Sequence, residues 1–288
     1  MGNSYLLRVT GLKKHFGGVR AVDGVSFGVR SGECVALIGP NGAGKSTCFA
    51  ALAGQHQPDA GSVEWGALND SQGQHEAAAL RNVTGLGAAA LSQLGIGRTF
   101  QVAQVFEALT VLQNLQLATK PQQRWQDFMP LAGQALASSQ ALLERLGLQQ
   151  VAHTHALALP YGLKKRLELG IALAAQPRLL LLDEPAAGLA QAERHDLMVL
   201  IKSLTCPMNP NDTPLAVLYT EHNMDAVFGV ADRVLVLIDG QLAAQGSAQE
   251  IAQSELVRLR YLGNTLLTPP ASSTPFTPLE PILQVPHD

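Results

Sequence analysis

The sequence predicts an α/β fold built around a parallel sheet, and three observations carry that expectation. A short apolar run, Cys34 to Ile38, leads into the turn Gly39-Pro40-Asn41-Gly42-Ala43-Gly44-Lys45-Ser46-Thr47, and small and apolar residues continue to Ala53 without Pro or Gly. A second apolar run, Leu179 to Leu182, ends on the acidic pair Asp183-Glu184. From there to Ile238 strand and helix patterns alternate, which implies βαβ units.

The elements follow in chain order. Leu6 to Val9 and Gly24 to Arg30 read as short strands joined by turns, the second through alternation at Val25, Phe27 and Val29. The strand, glycine-rich turn and helix at Cys34 to Ala53 come next, then a short strand at Gly61 to Trp65. Residues 68 to 93 are rich in Gln, Ala, Ser and Gly with weak periodicity, and are expected to be partly loop. A second lobe starts near Leu94. Its helices are Val111 to Leu117, Ala135 to Leu148 with Leu142, Leu143 and Leu146 on one stripe, and Gly162 to Ala175.

Strands at Leu179 to Leu182, Leu215 to Tyr219 and Arg233 to Ile238 then alternate with helices at Gln191 to Leu204 and Met224 to Val230. Gly240 to Gly246 predicts an edge strand. Ser247 with Glu250 at the N3 position predicts a capping box, opening a last helix that ends near Leu262-Gly263. Residues 264 to 288 carry Pro269, Pro270, Pro275, Pro278, Pro281 and Pro286 among Ser and Thr, which predicts an extended or disordered tail. No internal repeat is evident.

With 288 residues the chain can form one large domain, or a domain with a smaller lobe. No apolar stretch approaches the ~20 residues of a membrane span. No basic flank followed by an apolar run marks a signal peptide. A net charge of −3 gives no global reason to bind nucleic acid or anionic lipid. Cys34, Cys48 and Cys206 are odd in number and lack metal spacing, which suits a reducing compartment. The expectation from composition is a soluble, cytosolic protein.

The glycine-rich turn fits G-x-x-x-x-G-K-[ST] at Gly39, Gly44, Lys45 and Ser46. The simpler reading is a turn before a helix, but such a pattern arises by chance in roughly one chain in a hundred of this length. Glycines let consecutive N–H groups converge on one anion, and the helix N-terminus adds positive potential. Lys45 would reach the β- and γ-phosphates of a nucleotide, and Ser46 would hold Mg²⁺. A buried strand would carry Asp183 to the carboxyl edge of the sheet, where it can hold Mg²⁺ through water. Glu184 is then placed to polarise a water aimed at the γ-phosphate. Alone, Asp183-Glu184 would be a solvated acidic pair; beside a phosphate loop, the chemical reading outweighs that.

Together with Phe16, Gln101 and His222 in matching order, these motifs make the chain resemble the ATP-binding subunit of an ABC transporter over about residues 5 to 263. The resemblance implies a P-loop NTPase domain of ABC type, with an antiparallel β subdomain and a helical subdomain at about 95–160. It implies ATP and Mg²⁺ as cofactors. The loop residues Gly39, Pro40, Asn41, Gly42, Ala43, Gly44, Lys45, Ser46 and Thr47 would cradle the phosphates, with Phe16 stacking on adenine. Ser46, Gln101 and Asp183 would approach the metal, and His222 would contact the γ-phosphate beside Glu184. Taken singly, Phe16, Gln101 and His222 are ordinary turn or surface residues.

The family's Leu-Ser-Gly-Gly-Gln signature stands here as Leu159-Pro160-Tyr161-Gly162-Leu163. Tyr161 and Gly162 would face the nucleotide of a second subunit. Pro160 has no hydroxyl and Leu163 no amide, so backbone N–H groups and the helix dipole must supply the attraction. Where the family often has Asp or Asn in a dimer contact, this chain has Ala190.

Gly95-Ile-Gly-Arg-Thr-Phe-Gln101, Leu-Pro-Tyr-Gly162, Leu167-Glu-Leu-Gly-Ile171, Ala186-Ala-Gly-Leu189, Glu221-His-Asn-Met224 and Tyr261-Leu-Gly263 resemble the subgroup importing branched-chain or other hydrophobic amino acids. The resemblance implies transmembrane permease subunits, a second ATP-binding subunit of the same or another chain, and indirectly a periplasmic solute-binding protein. It implies no nucleic acid, and a cytoplasmic place on the inner face of the membrane. Val105, Phe106 and Leu109 would line a groove for a permease helix, or form ordinary lobe core. Urea or amide importers, a lipopolysaccharide exporter, and a weakly active regulatory or structural subunit are the alternatives. Ribosome-acting relatives carry two cassettes and chromosomal ones a long coiled coil, and neither is present. A small-molecule kinase would not need Glu184 and His222 at these positions.

Overall fold

The computed structural model describes residues 5–66, 80–99, 104–119, 131–207 and 213–257. Gln101 and the Pro-rich stretch 264–288 lie outside the described residues.

The first strands are longer than the sequence suggests. β1 (Leu7–Phe16) and β2 (Val19–Val29) form one antiparallel hairpin. Apolar alternation fades beyond Leu12, so the outer half shows no pattern; it is held by ladder bonds and by cross-strand pairs such as Lys13 with Asp23 at 3.3 Å. β4 (Ala60–Gly66) pairs with the other edge of β1, and β5 (Leu80–Asn82) pairs with β4. These four make an antiparallel sheet in the order β2-β1-β4-β5.

The second sheet has the order β10-β9-β3-β8-β7-β6. Its strands are β3 (Cys34–Ile38), β6 (Ile96–Arg98), β7 (Leu179–Asp183), β8 (Ala216–Thr220), β9 (Arg233–Ile238) and β10 (Gln241–Gly246). All neighbours are parallel except β10, which is the expected edge strand and runs antiparallel to β9. Both faces are covered, which is why the strands read as continuous apolar runs. Along β3, Cys34, Ala36 and Ile38 enter one core, and Val35 and Leu37 enter the other. The second core also holds β1, β2 and α1 (Lys45–Leu52). α2 (Ala88–Gln93) leads into β6.

The first core is closed by α3 (Val111–Ala118), α4 (Leu131–Leu146), α5 (Tyr161–Ala174), α6 (Gln191–Leu204) and α7 (Met224–Phe228). α3 opens with a capping box: Gln113 N–H donates to the Thr110 hydroxyl at 3.2 Å, and Thr110 N–H donates to Gln113 Oε1 at 2.9 Å. Ser247 and Glu250 form the anticipated box at the start of α8 (Ala248–Gln253). The predicted single helix is broken at Ser254, which is extended at ψ 116°, and a separate short helix, α9 (Glu255–Val257), follows; its expected end near Leu262-Gly263 lies outside the described residues.

Candidate nucleotide site

The phosphate loop leaves the carboxyl end of β3, and the backbone dictates its glycines. Gly44 has φ +97°, and a Cβ there would overlap the carbonyl oxygen of Ala21. The loop is tied to the β9–β10 turn by Gly240 N–H, which donates to Ala43 O at 3.1 Å. α1 has no side-chain cap, so the N–H groups of its first turn have no side-chain acceptor. Lys45 is buried and folds back over the loop, donating from Nζ to Gly39 O at 2.7 Å and to Pro40 O at 3.0 Å. Ser46 is exposed beside it. Burial pulls the Lys45 ammonium below its usual pKa, against the opposing pull of Glu184 and Asp183.

Those two carboxylates arrive on β7, separated from β3 only by β8. The register places Asp183 opposite Thr220, the last residue of β8. The Thr220 hydroxyl donates to Asp183 Oδ1 at 2.7 Å and accepts the Glu184 N–H at 2.9 Å. Glu184 has φ +47°, a left-handed backbone that few side chains adopt. Its Oε1 lies 2.7 Å from His222 Nε2. A carboxylate can only accept, so that ring nitrogen carries the hydrogen.

Between Thr220 and His222, Glu221 is buried. Its Oε1 accepts from Ala186 N–H at 3.0 Å and its Oε2 from His222 N–H at 3.2 Å. Burial raises the Glu221 carboxyl pKa, and the two backbone N–H bonds partly offset that. Arg98, on β6, brings a guanidinium nitrogen to 3.9 Å from Asp183 Oδ2.

Lys45, Asp183, Glu184 and His222 therefore share one sheet edge. Phe16 stands apart at the tip of the β1–β2 hairpin, 46% exposed, with its ring edge-on to His56 at 5.5 Å between centroids. The signature segment opens α5 as anticipated, with Pro160 as N-cap at φ −53° and no side-chain cap. Tyr161 lies over the bend at Gly188, and Gly162 faces Glu193, the first acid of α6. Ala190 is the N-cap of α6, where Glu193 Oε2 accepts its N–H at 3.4 Å. Val105 and Leu109 are half-buried and Phe106 is 55% exposed.

Sequence reasoning missed Arg98, Thr220 and Glu221 as site residues. Glu221 carried one faint signal, an acid directly continuing an apolar strand; the other two depend on strand adjacency.

A phosphate loop, an acidic strand end and a histidine on that glutamate define a phosphate-loop nucleoside triphosphatase. The chain belongs to the ABC transporter family, whose model matches residues 22–187. It is 37% identical over 267 residues to LivG, the high-affinity branched-chain amino acid transport ATP-binding protein of Escherichia coli (strain K12), covering 90% of this chain and 98% of LivG. It is 34% identical over 270 residues to BraF, the protein of the same description in Pseudomonas aeruginosa, with 90% of this chain and 98% of BraF covered. Among solved structures, a nucleotide-free ATP-binding cassette from an ABC transporter superposes with TM-score 0.71 at 29% identity, covering 90% of this chain and 100% of that one. The ADP conformation of an ATP-binding cassette gives 0.73 at 28%, covering 91% and 100%. The chain is thus an ATP-binding, ATP-hydrolysing subunit of an ABC transporter. Among the described residues, no helix is long and apolar enough to cross a membrane.

Proposed function

We propose that this chain powers the import of branched-chain or related amino acids. The relatives named for that transport, matched along nearly their whole length, support the substrate class. The contact of Glu184 with His222, on the sheet edge that carries the phosphate loop, supports the chemistry.

In this reading residues Gly39 to Thr47 wrap the phosphates and Phe16 stacks on adenine. Lys45 exchanges its two carbonyl partners for β- and γ-phosphate oxygens. Glu184 orients the attacking water, and His222 holds Glu184 while reaching the γ-phosphate. Mg²⁺ suits this donor set: it keeps most of its waters and needs few protein oxygens beside the phosphates. Ser46 and Asp183 would supply those, with Gln101 joining them. Bound there, the metal neutralises charge on the phosphates.

The uncapped N-terminus of α5, with Tyr161 and Gly162 in its first turn, would meet the γ-phosphate of a second ATP-binding subunit. Residues 5–263 form the ATP-binding unit, about 95–160 its helical subdomain, and 264–288 a tail outside it. Permease subunits dock on the helical subdomain near Phe106, placing the chain at the inner face of the membrane, with a solute-binding protein acting from the other side.

The test is a complex of this chain with its permease subunits in proteoliposomes. Leucine with the cognate binding protein should stimulate ATP hydrolysis and drive leucine uptake; hydrolysis without uptake of any branched-chain amino acid would reject the substrate. Pro160 and Ala190 favour a second reading, a weakly active regulatory subunit, because neither offers a polar group to the opposite site. Robust hydrolysis dependent on this chain's own Glu184 excludes it.

A further inference from the structure

We propose that Glu221 is a positioning residue that fixes the distance between Glu184 and His222. Among the described residues, its side chain hydrogen-bonds to Ala186 and His222 and not to the phosphate loop or Asp183. The residue is 4% exposed, and its side chain joins two backbone segments that approach only in the folded sheet. One oxygen takes the N–H of Ala186, in the turn that Glu184 begins by accepting Ala187 N–H at 3.1 Å. The other takes the N–H of His222 itself. One carboxylate therefore ties the backbone of His222 to the turn that follows Glu184, and the side chains of His222 and Glu184 meet at 2.7 Å.

The choice of residue supports this. Burying a carboxylate is costly unless hydrogen bonds compensate. Filling this space alone would need only an apolar side chain. A carboxylate offers acceptors at both oxygens, so it can satisfy two N–H groups that diverge; a carboxamide would turn an NH₂ toward one of them. Arg194, whose guanidinium donates to Leu189 O at 3.1 Å, adds a positive charge that partly offsets the burial and the neighbouring Glu184 charge, both of which disfavour the ionised form.

The inference rests on the reading that Glu184 and His222 act in hydrolysis, and the experiment separates the two. Single-turnover MgATP hydrolysis, which stays measurable in slow variants, is recorded for the assembled transporter with E221Q, E221D, H222A and E221Q/H222A, beside nucleotide affinity and thermal unfolding. E221Q should lower the rate at least about tenfold while affinity changes less than about twofold. In the H222A background, E221Q should cost less than about twofold more, because the clamp acts through the histidine. E221D, one methylene short, reaches one N–H only and should fall between; it serves as the readout if E221Q does not fold. A parental rate in E221Q or, failing that, in E221D overturns the proposal. So does a full additional loss in the H222A background. If H222A itself hydrolyses at the parental rate, the underlying assignment of His222 fails instead.

Discussion

Thr220→Val isolates one hydroxyl at the centre of the site. The substitution keeps the β-branch and nearly the volume, and removes an O–H that donates to Asp183 and accepts from Glu184 N–H. Thr220 is 1% exposed, so little water can replace it. A hydrogen bond to a charged group contributes about 1.5–3 kcal/mol, and orphaning a buried N–H costs about 1–3 kcal/mol. Asp183 is only half-buried and recovers part of its loss from solvent, which leaves a net cost of about 2–3 kcal/mol. At about 2–4 °C per kcal/mol, thermal unfolding should shift down by about 4–12 °C. The rate should suffer as well, since the lost bond anchors the left-handed backbone that aims Glu184. A drop in kcat of about 10–100-fold corresponds to about 1.4–2.7 kcal/mol of transition-state stabilisation. Calorimetry and steady-state MgATP hydrolysis read the two effects separately. A lowered Tm with kcat within about twofold of the parent would show that Thr220 supports only the fold, and would refute the positional argument.

Lys45→Ala should weaken MgATP binding at least about tenfold in equilibrium titration, and unchanged affinity would sink the phosphate-loop assignment. Asn114 is fully buried, accepts from Phe106 N–H and donates to the carbonyls of Phe106 and Thr110. Asn114→Ala should therefore cost about 2–4 kcal/mol in urea unfolding; a loss under about 1 kcal/mol would show that water replaces those bonds. Burial pushes the thiols of Cys34 and Cys48 up to about 12, whereas Cys206 is exposed. A thiol reagent at mildly alkaline pH should modify Cys206 alone in the native chain and all three cysteines after denaturation; fast labelling of Cys34 or Cys48 would contradict the packing. The native chain also keeps those protons between pH 9.0 and about 12 while the unfolded chain loses them, so stability should fall as pH rises through that window.

The parts of the site visible in sequence are those that local chemistry fixes. The phosphate loop needs glycines for backbone reasons that hold in any context, and Leu179 to Asp183 is a buried parallel strand that must end at a sheet edge. His222 follows such a strand too, though its contact with Glu184 does not follow from spacing. Thr220 and Glu221 matter because β8 lies between β3 and β7 in a register that sets Thr220 against Asp183, a tertiary fact without local trace. β5 and β6 span only three residues each, too few to show a period, and exist because a neighbouring strand offers a ladder. The outer part of the β1–β2 hairpin escaped notice for a related reason, since its exposed polar residues carry no alternation.

Glu184→Gln tests the central claim most directly. The change keeps shape and removes the negative charge that orients water, while Lys45 and the loop are untouched. Hydrolysis should fall at least about a hundredfold with MgATP affinity preserved. Steady-state turnover at the parental rate would contradict the account, because the acid in contact with the His222 ring would then have no part in the reaction.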